Sequence, residues 1–128
     1  MKPLFILDGK VIQGQSRGKS LGFPTANIQV SKQIPEGIYA AEVVVKGQTF
    51  QAATFIGASK TFGEDEYKAE SYILDFDKDI YGQVVTVKLY KKLRDNKAFD
   101  SSEALQAQMT EDIKAVQKFF LDKTQAKV

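Results

Sequence analysis

The chain has no cysteine and no histidine, and each absence removes a class of chemistry. Without cysteine there are no disulfides and no thiolate nucleophile. Without histidine, the commonest general base and the commonest transition-metal ligand are both missing. Acid–base work must fall to Asp, Glu, Lys or Tyr, and any metal is expected to be a hard, oxygen-loving ion. No stretch approaches the roughly 18 uninterrupted apolar residues of a membrane span. After Lys2-Pro3 the apolar run Leu4-Phe5-Ile6-Leu7 is broken by Asp8 and Gly9, so the N-terminus does not read as a signal peptide. Excess charge is also scarce: 18 basic and 16 acidic side chains, mixed along 128 residues, leave a net +2. That balance offers no basic stripe to follow a nucleic-acid backbone. The expectation is a cytoplasmic monomer that binds neither membranes nor polynucleotides.

What is present reads as one soluble domain over residues 1–128, with 43% hydrophobic and 27% charged residues. Apolar residues in the first three quarters alternate or run in short blocks between Gly, Pro and Asp. This pattern predicts strands near Phe5–Ile12, Ala26–Val30, Ile38–Val45, Gln48–Ile56, Ser71–Phe76 and Gln83–Leu93. Lys46-Gly47 marks a tight hairpin, and Asp77-Lys78-Asp79 marks a later turn. Six strands without intervening helices imply antiparallel pairing, and a closed or nearly closed barrel hides their edges most economically. After Phe99 the period changes: Leu105, Met109, Ile113, Val116 and Phe120 recur at spacings of three and four and define one helix face. Asp100 is expected to cap that helix, with Glu103 three residues on, and the polar residues 122–128 to fray. The fold class is therefore all-β with a C-terminal α-helix covering the barrel.

Two segments could carry chemistry. Gly14-Gln15-Ser16-Arg17-Gly18-Lys19-Ser20-Leu21-Gly22 is a glycine-rich basic loop directly after a strand, open to a phosphate or equally to solvent as a plain hairpin. It is not a P-loop, because Gln13 stands five residues before Gly18 where that motif needs Gly, and Leu21-Gly22-Phe23-Pro24 cannot open the required helix. In Pro24-Thr25-Ala26-Asn27, Thr25 and Asn27 lie two apart and so share one side of an extended strand. A hydroxyl and a carboxamide oxygen there suit a Mg²⁺ ion shared with nucleotide phosphates, and equally suit a merely polar strand face.

Gly9-Lys10-Val11, Gly14, Arg17-Gly18, Leu21 to Asn27 and Gly37-Ile38-Tyr39-Ala40 together resemble the opening of the riboflavin kinase family. Ile56-Gly57, Thr61-Phe62-Gly63, Glu70, Ile73-Leu74-Asp75-Phe76, Asp79, Tyr81-Gly82, Leu93-Arg94, Phe99-Asp100-Ser101 and Asp112 continue the resemblance in order, over roughly residues 9 to 118. It implies a Greek-key six-stranded closed barrel and ATP-dependent phosphorylation of riboflavin to FMN. Gly14, Arg17, Gly18, Lys19, Ser20 and Gly22 would wrap the nucleotide, with Thr25 and Asn27 serving Mg²⁺–ATP. Ile73, Asp75 and Tyr81 would line the nucleotide side, Glu70 would be the base, and Arg94 and Lys97 would belong to a flap over the flavin. The family's bacterial members often carry this module behind an FMN adenylyltransferase domain, and residues 1–8 resemble the joint. Ala58-Ser59-Lys60-Thr61 departs from the family by lacking a proline, which motivates the alternative of a catalytically silent flavin- or nucleotide-binding module.

Overall fold

The computed structural model describes residues 1–12, 25–30, 33–58, 67–76 and 78–125. Among the described residues, six strands, β1 (Phe5–Ile12), β2 (Ala26–Ile28), β3 (Gly37–Val45), β4 (Gln48–Gly57), β5 (Lys68–Ile73) and β6 (Val84–Arg94), precede the C-terminal helix α1 (Ser102–Gln125). The strands close into a barrel in the order β1-β2-β5-β4-β3-β6, and every pairing is antiparallel. β3, β4 and β5 form a meander, and β6 returns to lie beside β3, which is the Greek-key connection. No helix among the described residues is long and apolar enough to cross a membrane.

Alternation decides which side chains fill the barrel. Leu7 and Val11, Tyr39, Ala41 and Val43, Ala52 and Ile56, Ala69 and Ile73, and Val85, Val87 and Leu89 point inward and form one cluster with Ile28. Thr54 and Ser71 are also interior, and they satisfy each other through a 2.8 Å hydroxyl–hydroxyl hydrogen bond. Between β3 and β4, Lys46 and Gly47 both have positive φ (49° and 80°). That is the two-residue turn whose twist matches antiparallel strands, as Lys46-Gly47 predicts.

Gly9 is required for a different reason. The chain leaving β2 crosses it so closely that an added Cβ would lie 2.4 Å from the Gln29 carbonyl oxygen and 2.6 Å from Ile28 Cγ2, while the Gln29 N–H donates to the Lys10 carbonyl at 3.0 Å. Gly9→Ala must push backbone aside, and should destabilise the fold by about 1–3 kcal/mol in urea unfolding.

α1 lies on the outer surface. Val116 and Phe120 cluster with Ala40 and Leu74, flanked by Ala53, Tyr72, Tyr90, Leu93, Ile113 and Phe119. Ala40 and Ala53 face each other across β3 and β4, and two such small side chains let the helix sit close to the sheet. The helix start differs from the expectation: Ser101, not Asp100, is the cap. Its Oγ accepts from the Ala104 N–H at 3.1 Å, and its carbonyl accepts the first helical bond, from Leu105, at 3.1 Å. The helix also continues through Gln125, past the last apolar position of its face.

β5 occupies Lys68–Ile73 rather than Ser71–Phe76. Asp75 takes a left-handed conformation (φ 55°) that ends the strand. Leu74 joins the helix-covered cluster, and Phe76 packs edge-on against Phe50 with ring centroids 4.9 Å apart.

Tyr90 links sheet and helix. Its hydroxyl donates to Glu42 Oε1 at 2.6 Å and its ring meets Phe120 at 5.8 Å. Burial, reinforced by the Glu42 carboxylate, pushes its hydroxyl pKa up to about 12. The neutral form is thus favoured by the folded state, so this contribution is intact below pH ~10 and is lost as pH rises from there through 12. Tyr90→Phe should lower stability at pH 8 by roughly 1 kcal/mol, with the difference from wild type shrinking across that alkaline window in pH-dependent urea titrations.

Candidate active site

The sheet register builds the site. Ile12 faces Asn27 across β1 and β2, Asn27 faces Glu70 across β2 and β5, and Glu70 faces Phe55 on β4. Phe55 then faces Ile38 on β3, and Ile38 faces Arg94 on β6. Directly paired residues share a face, so Asn27, Glu70, Phe55, Ile38 and Arg94 form one row on the barrel's outer surface. Barrel strands are staggered, so this row climbs: it starts at the last residue of β1 and finishes at the last residue of β6, which are opposite ends of the barrel. Glu70 stands between. Three strand spacings separate it from Arg94, roughly 14 Å along the sheet.

Around Glu70 the contacts are polar. Thr25 Oγ1 donates to Glu70 Oε2 at 3.5 Å, and Lys68 Nζ contacts Oε1 at 2.9 Å, with side-chain exposures of 15% for Lys68 and 22% for Glu70. Lys68 and Glu70 are two apart on β5 and so project to the same side. The entry to β5 is fixed by Tyr67, whose hydroxyl accepts from the Ile34 N–H at 2.9 Å and donates to the Ile34 carbonyl. Asn27 is 8% exposed, and among the described residues no hydrogen bond reaches its carboxamide. A buried amide in that state has capacity for an external partner.

No group of three or more His, Cys, Asp or Glu among the described residues could hold an ion alone. The carboxamide oxygen of Asn27 and the hydroxyl of Thr25 are hard, neutral donors, which fit Mg²⁺ provided that phosphate oxygens complete its shell.

At the end where β1 stops and β2 begins, the Tyr81-Gly82 turn is tied on: the Gly82 N–H donates to the Val11 carbonyl at 2.9 Å, and the Tyr81 N–H to Asp79 Oδ1 at 2.9 Å. Tyr81 is exposed. Asp75, also exposed, follows β5 at this same end. Ile73 does not join them. Its position in the strand alternation turns it into the barrel, where it is 6% exposed and packs among the core residues. Gly14, Arg17, Gly18, Lys19, Ser20 and Gly22 lie outside the described residues, as do Ser59 to Glu66.

At the opposite end, Arg94 grips the helix. Its Nε and Nη2 donate to Asp112 Oδ1 and Oδ2, both at 2.8 Å, and its Nη1 to the Asp95 carbonyl at 3.1 Å. Gln108 Nε2 donates to Asp112 Oδ1 at 3.0 Å. The Arg94 guanidinium carbon and Lys97 Nζ lie 5.6 and 5.0 Å from the Phe99 ring centroid. Asn96 Nδ2 donates to the Ala58 carbonyl at 2.8 Å, and the Ala58 N–H to Glu36 Oε1 at 3.4 Å. The segment after β6 is thereby tied to both the helix and the β4 exit.

Lys68 and Tyr67 are the residues that sequence reasoning missed. With β5 expected to begin at Ser71, Lys68 fell in an acidic connecting segment, and the two-residue spacing to Glu70 carried no meaning.

A family model described as riboflavin kinase matches residues 2–120. A trifunctional RibF/MnmA protein of Mycoplasmoides gallisepticum is 40% identical over 127 residues, covering 97% of this chain and 19% of that protein. A bifunctional riboflavin kinase/FMN adenylyltransferase of Listeria monocytogenes is 40% identical over 116 residues, covering 88% of this chain and 37% of the relative. The chain thus spans well under half the length of these relatives. Among solved structures, riboflavin kinase from Trypanosoma brucei superposes with a TM-score of 0.66 at 25% identity, covering 94% of this chain and 82% of its own. On the family match over residues 2–120 and the shared fold, the chain belongs to the riboflavin kinase (flavokinase) family.

Proposed function

We propose that this chain transfers the γ-phosphoryl group of ATP to the ribityl 5′-hydroxyl of riboflavin, giving FMN and ADP. The observation that carries the reading is the convergence of Thr25, Asn27 and Glu70 on one patch of the outer surface. The nucleotide binds toward the β1 exit, held by the Gly14–Gly22 loop with Arg17 and Lys19, and by Asp75 and Tyr81. The flavin lies on the Arg94 side, beneath the segment carrying Lys97, with the apolar Phe55 and Ile38 between the charged Glu70 and Arg94 in the row. Thr25 and Asn27 would hold Mg²⁺ against the phosphates, where the ion supplies charge neutralisation.

Glu70 accepts the hydroxyl proton as the new P–O bond forms and the bond to the ADP oxygen breaks. With a loose transition state the proton is late to move, so the carboxylate serves chiefly to aim the hydroxyl oxygen at phosphorus. Only the kinase step is proposed for this chain. Incubation with riboflavin, ATP and Mg²⁺ should yield FMN by chromatography. Riboflavin binding by fluorescence quenching with no FMN at any nucleotide or divalent metal would instead identify a silent binding module.

A further inference from the structure

We propose that Lys68 is a positioning residue for Glu70, an inference that rests on the kinase reading above. The carboxylate of Glu70 has two oxygens, and the structure divides them. Oε1 is held by the Lys68 ammonium at 2.9 Å, and Oε2 is turned toward Thr25 at 3.5 Å. An unanchored glutamate at a strand surface samples several rotamers about three side-chain torsions. A charge-assisted hydrogen bond to one oxygen removes most of that freedom and leaves the other oxygen aimed at a single place. That place is the Thr25 and Asn27 side, where the phosphoryl acceptor must lie.

Two features make this more than an ordinary surface ion pair. The Lys68 side chain is only 15% exposed, so its ammonium has given up most of its water and depends on protein partners. Tyr67, the preceding residue, is pinned through its side-chain hydroxyl to both the N–H and the carbonyl of Ile34, which steadies the start of β5 just before the lysine. Because catalysis here depends on alignment, loss of the anchor should lower the rate of transfer more than it lowers the affinity for either substrate.

Lys68→Met is the test, read by steady-state kinetics with FMN detection. The expected result is a 10- to 100-fold fall in kcat, with KM for riboflavin and ATP within about twofold of wild type. Lys68→Arg, which keeps a charged donor, should restore most of the loss, and thermal unfolding checks that each variant is folded. Lys68→Gln replaces Met if the latter does not fold. In the background of Glu70→Gln, the Lys68 substitution should cost little more, because the two residues act as a unit. Unchanged kcat, a rise in the KM for ATP alone, or the same loss with and without Glu70 would overturn the proposal while leaving the kinase reading intact. Failure of the wild-type chain to make FMN would bring down both.

Discussion

Glu70→Gln should lower kcat by roughly 10²- to 10⁴-fold while the protein stays folded and still binds riboflavin. The two expectations separate because of where Glu70 sits. Its side chain is on the outer surface of β5, 22% exposed, and outside the interior cluster that closes the barrel. Glutamine keeps its shape and can still accept from Lys68 through its one carbonyl oxygen, while the amide group in place of the other oxygen cannot accept from Thr25, so the stability cost should be of order 1 kcal/mol. What the amide group cannot do is accept the hydrogen bond that aims the substrate hydroxyl, or take its proton. Rapid-mixing measurement of a single turnover is the sharpest check, because it isolates transfer from product release. A variant with near wild-type turnover would remove Glu70 from the base role, and with it the significance of its pairing with Asn27.

The reach of sequence reasoning can be judged at this same residue. Strand periodicity located β1, β3, β4 and β6 to within a residue or so, because each has a long alternating pattern and sharp boundaries such as Lys46-Gly47. The barrel followed from strand count and edge protection. β5 was displaced by three residues, since Ile73, Leu74 and Phe76 read as one apolar strand when in fact they serve three different packings: barrel interior, helix-covered face and barrel end. A left-handed Asp75 ends the strand, and nothing in its side chain announces that conformation. The displacement left Glu70 outside any strand, so its alignment with Asn27 depended on family resemblance alone. Register is a long-range property, set by how the barrel closes, and these partners stand 43 positions apart in the chain.

The helix cap shows a smaller version of the same limit. Asp100 and Ser101 are both good caps, and local sequence has no means of choosing between them. The choice is tertiary. Arg94 must reach Asp112 with both prongs of its guanidinium, which fixes how far along α1 the chain after β6 has travelled before the helix begins. Phe99 lies beside both Arg94 and Lys97, which draws the intervening residues into the same compact connection.

Asp112→Ala is expected to be the most destabilising single change in the candidate site, at about 3 kcal/mol, or on the order of 10 °C in the unfolding midpoint. Asp112 has a side chain only 8% exposed, against 20% for Arg94, so the pair is mostly withdrawn from water, although the arginine retains some contact with it. Removing the carboxylate strands a guanidinium that cannot be neutralised, and it also deprives Gln108 of its acceptor. Arg94→Ala combined with Asp112→Ala should be less destabilising than the sum of the two single changes, the mark of a directly coupled pair. The functional consequence is distinct from that of Glu70. Arg94 anchors the segment that carries Asn96 and Lys97, so its release should raise the KM for riboflavin, by about tenfold if that segment closes over the flavin. The KM for ATP, bound toward the other end of the row, should change little. Denaturant titration of the three variants, with both KM values measured at a temperature where all are folded, checks the stability and the binding claims independently. Equal rises in both KM values would show that Asp112 supports the barrel as a whole and has no particular hold on the flavin end.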